Sequence, residues 1–162
     1  PEADAYYFCG GYPELHAKRL ESSPCISGLK KAADSGTPIF GECGGLMWLS
    51  RTVTDSAGKT YRMAGVLDAD SLMQKRFAAL GYSIGKTCGS SYLANGTAFR
   101  GHEFHYSVCE ADRDARFDFL LSRGKGIAGG KDGLVCGNTL AGYTHIYFGK
   151  AFADAFAAGV RR

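Results

Sequence analysis

The stretch that decides the fold is Thr37-Pro38-Ile39-Phe40-Gly41-Glu42-Cys43-Gly44-Gly45-Leu46-Met47. Pro38-Ile39-Phe40 reads as a short buried strand, and Gly44 to Ser50 reads as a helix with Leu46, Met47 and Leu49 apolar. Between them lies Gly41-x-Cys43-x-Gly45, the thiol form of the G-x-S-x-G nucleophile elbow. A nucleophile on such a turn stands above the sheet, and the flanking glycines remove side chains that would clash with the strained backbone. The amino end of the following helix favours a Cys43 thiolate, and the Gly44 N–H points to where an oxyanion would form. A buried cysteine in a glycine-rich turn is the structural alternative.

Upstream, Ala5-Tyr6-Tyr7-Phe8-Cys9 reads as another short strand, stopped by Gly10-Gly11. Tyr12-Pro13-Glu14 opens a helical stretch to about Leu20, and Ser23-Pro24 starts a second helix closed by Gly36. Strand, helix, strand, helix is the order of a parallel sheet with helical crossovers. Strand carboxyl ends then gather on one side, which brings Gly10-Gly11-Tyr12 beside Cys43. A glycine amide of this turn, with Gly11 preferred, is a candidate second oxyanion donor.

Downstream the chain changes character. Tyr61 to Met73, Gly81 to Thr87, Ser91 to Phe99 and His102 to Ala111 read as short strands between Gly, Asn and Asp turns. Gly133 to Asn138 and Leu140 to Phe148 are strand-like, and Ala151 to Val160 is a closing helix. The expected fold class is α/β, a largely parallel sheet flanked by helices with a β-rich second half, in one domain over 1–162.

A thiol nucleophile generally needs a histidine. Of His16, His102, His105 and His145, the last lies in Gly142-Tyr143-Thr144-His145, late in the chain as suits a Cys–His site on an α/β sheet. His16 falls on a surface helix. His105 is the second candidate; alternation places it on one strand face with Glu103, whose carboxylate can orient an imidazole or bind substrate.

Composition excludes several classes. The net charge of +3 and the scattered basic residues give no nucleic-acid footprint, and no apolar run approaches the roughly 20 residues of a membrane span. The six cysteines form no C-x-x-C pair, and their spacing suggests no disulfide framework, so the chain reads as reduced and cytosolic. It starts Pro1-Glu2-Ala3-Asp4 and is read as part of a longer polypeptide.

Taken together, Gly10-Gly11-Tyr12-Pro13-Glu14, Gly41 to Met47, Arg100-Gly101-His102-Glu103-Phe104-His105-Tyr106-Ser107 and Gly142-Tyr143-Thr144-His145 resemble the class I, triad-type glutamine amidotransferases. The nearer resemblance is to the cobyrinate a,c-diamide synthase and cobyric acid synthase group. It implies a class I amidotransferase-like (flavodoxin-like) glutaminase domain with Cys43 as nucleophile, His145 as base, and Gly11 and Gly44 as oxyanion donors. Gly10, Tyr12, Glu103 and His105 would bind substrate or support the site. The resemblance also implies an amino-terminal synthetase domain in the same polypeptide. That domain would use ATP and Mg2+ to activate a corrinoid acceptor, whereas this domain would bind glutamine and need no cofactor of its own. No G-x-x-x-x-G-K-[ST] phosphate loop occurs in the sequence. The family at large carries His-x-Glu; Tyr147 stands at that position here, and the narrower group is similar in lacking the glutamate, which leaves open what orients His145. A cysteine hydrolase or peptidase of similar fold and a non-catalytic partner-binding domain are the alternatives of another class.

Overall fold

The computed structural model describes residues 2–161. Strand β1 (Tyr6–Phe8) leads into a 3-10 turn at Pro13–His16, then helices α1 (Ala17–Glu21) and α2 (Cys25–Asp34) return the chain to β2 (Ile39–Glu42). This crossover sets β2 parallel to β1, with Phe8 opposite Gly41. β2 is buried at all four residues, as expected for a strand covered on both faces. Cys43 then turns the chain into α3 (Gly44–Leu49), itself buried throughout. Two glycines permit that packing. A Cβ on Gly41 would lie 2.8 Å from Leu49 Cδ1, and one on Gly45 would strike the Phe8 carbonyl oxygen.

Four strands, β3 (Thr52–Thr54), β4 (Thr60–Arg62), β5 (Ala69–Met73) and β8 (Ser107–Ala111), form a small second sheet in the order β4-β3-β5-β8. The main sheet adds β6 (Ala79–Thr87), β7 (Ala98–His105), β9 (Arg116–Arg123), β10 (Lys131–Cys136), β11 (Thr139–Gly142) and β12 (His145–Ile146). Its order is β1-β2-β11-β10-β9-β6-β7-β12. Helix α4 (Lys150–Val160) closes the chain and seats Phe152 against Phe40, Phe99 and Phe119. A second core on the other side of the sheet centres on Leu46, Leu49, Val53, Leu67 and Leu134.

The fold is α/β with flanking helices and a β-rich second half, but the sheet is mixed rather than largely parallel. In the main sheet the parallel pairs are β1 with β2 and β2 with β11; the remaining neighbours run antiparallel. The reason is the length of the connections. A parallel neighbour needs a crossover of about a dozen residues or more. β10 and β11 are joined by Gly137-Asn138 alone, with Gly137 at φ 55°, which closes a hairpin. Four strand boundaries also differ from the sequence reading: His102 to Ala111 breaks at Tyr106, and its second half, β8, joins the small sheet. Tyr61 to Met73 is two strands separated by an irregular segment, and Ser91 to Thr97 is loop. Leu140 to Phe148 breaks at Tyr143-Thr144, so His145 belongs to a separate strand. Strand β9 was not anticipated. Among the described residues no helix is long and apolar enough to cross a membrane.

Candidate active site

Cys43 sits where β2 breaks into α3, with φ 50° and ψ −100°, and is the one non-glycine residue at positive φ among those described. Its position is over-determined. Its N–H donates to Gly142 O at 2.8 Å, extending the β2–β11 pairing by one step, and its carbonyl accepts the Met47 N–H at 3.1 Å. Strain at one residue persists when neighbours fix it in this way, and such residues cluster at functional sites.

The Cys43 side chain is 8% exposed and reaches a cavity of about 400 Å³. One wall is the turn after β1, Gly10, Gly11 and Tyr12; the other is His102 and Phe104 of β7; His145 completes it. Tyr12 stands at the rim, 63% exposed. The Gly11 and Gly44 backbones touch, since a Cβ on Gly44 would lie 2.6 Å from Gly11 N. The two amides proposed as oxyanion donors therefore belong to adjoining backbone beside the sulfur. Gly10 is equally constrained, because a Cβ there would run into the His145 ring at Cε1.

Electrostatics at the sulfur differ from the sequence expectation of a favoured thiolate. Burial pushes the Cys43 thiol up to about 11, and the Gly44 N–H offsets only part of this. The carboxylates of Glu14, Glu42 and Asp132 raise it further. The thiol donates to the Phe104 carbonyl oxygen at 3.7 Å. His145 is held below its ordinary value by burial first, then by the neighbouring His102 and His105. A neutral thiol and a neutral imidazole on the same cavity are the resting state these shifts describe at pH 7. The short helix contributes too little to ionise a buried sulfur by itself.

Two buried carboxylates hold the backbone on either side of His145. Asp132 accepts the N–H groups of Tyr143 at 3.0 Å and Thr144 at 2.9 Å. Glu42, the residue before the nucleophile, accepts the Ile146 N–H at 2.8 Å and the Tyr7 hydroxyl at 2.6 Å. Burial raises both carboxyl groups above the usual range. Neither was singled out in the sequence as a site residue. Glu42 lies inside the elbow motif, but its partners come from 35 and 104 residues away.

The other sequence candidates are placed as follows. Glu103 and His105 do share one face of β7, but it is the inner face; the cavity is lined from the opposite face by His102 and Phe104. Glu103 accepts the N–H groups of Lys125 at 2.7 Å and Gly126 at 2.6 Å, and so fixes that loop rather than the His145 ring. His105 is buried flat against Tyr143, with ring centroids 3.6 Å apart, and its Nδ1 bonds to Ser107 O at 2.8 Å. His16 is exposed. The sequence alone does not single out His102, because alternation gives the period of a strand and not which face meets Cys43. Only the pairing of His102 with His145 across β7 and β12 reveals its place.

The solved structure of a glutamine amidotransferase superposes with a TM-score of 0.63 at 19% identity, covering 88% of this chain and 70% of that one. PurLQS from Thermotoga maritima superposes with a TM-score of 0.69 at 13% identity, covering 98% and 79%. At these identities the likeness is one of fold. In sequence, the chain is 45% identical over 157 residues to a cobyrinate a,c-diamide synthase of Halobacterium salinarum, covering 96% of this chain and 36% of the relative. It is 42% identical to the protein of that name from Methanosarcina barkeri, covering 91% and 33%. The chain thus spans about a third of the length of these curated relatives. Residues 1–152 match the family profile described as the CobB/CobQ-like glutamine amidotransferase domain, and the chain belongs to that family.

Proposed function

We propose that this domain hydrolyses glutamine to glutamate and ammonia, with Cys43 as nucleophile and His145 as base. The observation that carries the reading is the strained Cys43 turn opening on the same cavity as His145 and the Gly11 turn. His145, neutral at rest, takes the Cys43 proton as the sulfur attacks the side-chain amide carbon. The coupled transfer suits a thiol that burial keeps protonated. The amides of Gly11 and Gly44 take up the oxyanion charge, each such donor being worth about 2.7–4 kcal/mol. The imidazolium returns its proton to the leaving nitrogen, ammonia departs, and water attacks the thioester with His145 again as base. Tyr12 at the rim, and Gly10 against the imidazole, shape the pocket that receives glutamine.

The ammonia goes to an acceptor outside this chain. The names of the relatives support ATP-dependent amidation of the a and c carboxylates of cobyrinate, and their threefold greater length supports a synthetase region in the same polypeptide. ATP and Mg2+ would belong to that region, because this sequence carries no phosphate loop. A glutamine hydrolysis assay of Cys43→Ala and His145→Ala tests the reading. Cys43→Ala is expected to abolish ammonia release with the fold retained, and His145→Ala to slow it by about 10²–10⁴-fold. Hydrolysis unchanged in either variant, or peptide cleavage in preference to glutamine, contradicts it.

A further inference from the structure

We infer that His102 is the residue that orients the base, holding the His145 imidazole by ring stacking in the place where a carboxylate is lacking. The inference rests on the assignment of His145 as base. His102 and His145 are direct cross-strand partners in β7 and β12, so their side chains rise on the same face. Their rings stack with centroids 4.7 Å apart and planes 6° from parallel. Tyr147, at the position after Ile146 where a triad glutamate would lie, packs on His102 instead, with ring centroids 5.6 Å apart.

The surroundings make this stack the main restraint on the ring. Among the described residues no side-chain hydrogen bond reaches the His145 imidazole, and the two nearby carboxylates, Glu42 and Asp132, bind backbone amides. The Gly10 backbone abuts Cε1 and blocks movement on that side. The strands approach closely enough for stacking because residue 101 is glycine; a Cβ there would strike the His145 carbonyl oxygen. His102 Nδ1 is buried with no hydrogen-bond partner. The ring therefore acts through its flat face and not through that nitrogen, and an aromatic hydrocarbon of similar shape should replace it. A base misplaced by about 1 Å can cost about 10²-fold in rate.

Two variants and two readouts test this. Glutamine hydrolysis by His102→Ala and His102→Phe gives kcat and KM, and side-chain NMR of histidine-labelled chain reports the order of the His145 ring. The expected result is that His102→Ala lowers kcat by about tenfold or more with KM nearly unchanged, and that the His145 ring loses order. His102→Phe restores both kcat and ring order. An ordered His145 ring in His102→Ala overturns the inference, as does a His102→Phe variant that is folded yet as slow as His102→Ala. If the native chain hydrolyses no glutamine, the functional reading fails, and the NMR readout still decides the stacking role.

Discussion

Cys43 adopts a backbone conformation that costs an L residue about 1–3 kcal/mol, and the elbow keeps it because three elements fix the turn. A stability difference between two inactive variants should expose this strain. Cys43→Gly relieves it and Cys43→Ala does not, so urea unfolding should place the glycine variant about 1 kcal/mol above the alanine variant. Equal midpoints would show that the turn is not strained. The base should reveal itself in the pH profile. His145 titrates below histidine's ordinary value of about 6.5, and only the neutral ring accepts the thiol proton. The expected kcat/KM therefore rises with pH along a limb below 6.5 and is level through neutrality. A limb centred above 7 would assign the titration to another group. Gly10→Ala should displace the imidazole and lower kcat while leaving the fold intact, because the nearest atoms its Cβ would meet all belong to the His145 ring. Cys43 was legible in the sequence because the elbow is local, its glycines and nucleophile lying within five residues. His102 was not, because its role arises from a pairing across 43 residues of chain.

At the scale of elements, the two-residue strand β12 is anchored by side chains as well as by its pairing with β7. Asp132 from β10 and Glu42 from β2 bind the amides on both sides of His145. Asp132→Ala leaves two buried amides unpaired, at roughly 1–3 kcal/mol each, and should lower both the unfolding midpoint and the hydrolysis rate. A variant with native stability would remove Asp132 from the account. Both carboxyl groups are raised by burial, so the folded chain favours their protonated forms. The stability this confers is complete below the unfolded values of about 4 and is lost as pH rises through the raised native values. Glu42→Gln keeps an acceptor for the Ile146 N–H and cannot titrate. Its unfolding midpoint should fall less than that of the native chain across that window; an identical slope would exclude Glu42 as a source. Helix α4 and the first two strand–helix units were readable from apolar spacing. The antiparallel run was partly hidden, since β9 carries the irregular pattern of a strand crossed by two neighbours and a bulge at Ile84/Gly85.

For the whole molecule, the parallel strands β1, β2 and β11 carry the proposed site on loops at their carboxyl ends: the Gly10-Gly11 turn, the Cys43 elbow and the segment leading to His145. The antiparallel β6–β7 hairpin supplies the opposite wall. The α/β class and the strand-to-helix turn at Cys43 followed from residues near in sequence. The mixed sheet and the second sheet did not, because connection lengths and register decide them and single-residue patterns do not record either. The account comes down to one covalent event at one sulfur. Rapid acid quenching of the chain during turnover with glutamine, followed by peptide mass mapping, should find a glutamyl thioester on the peptide bearing Cys43, and none in Cys43→Ala. A glutamyl adduct on another cysteine, or continued turnover in Cys43→Ala, would contradict the central claim.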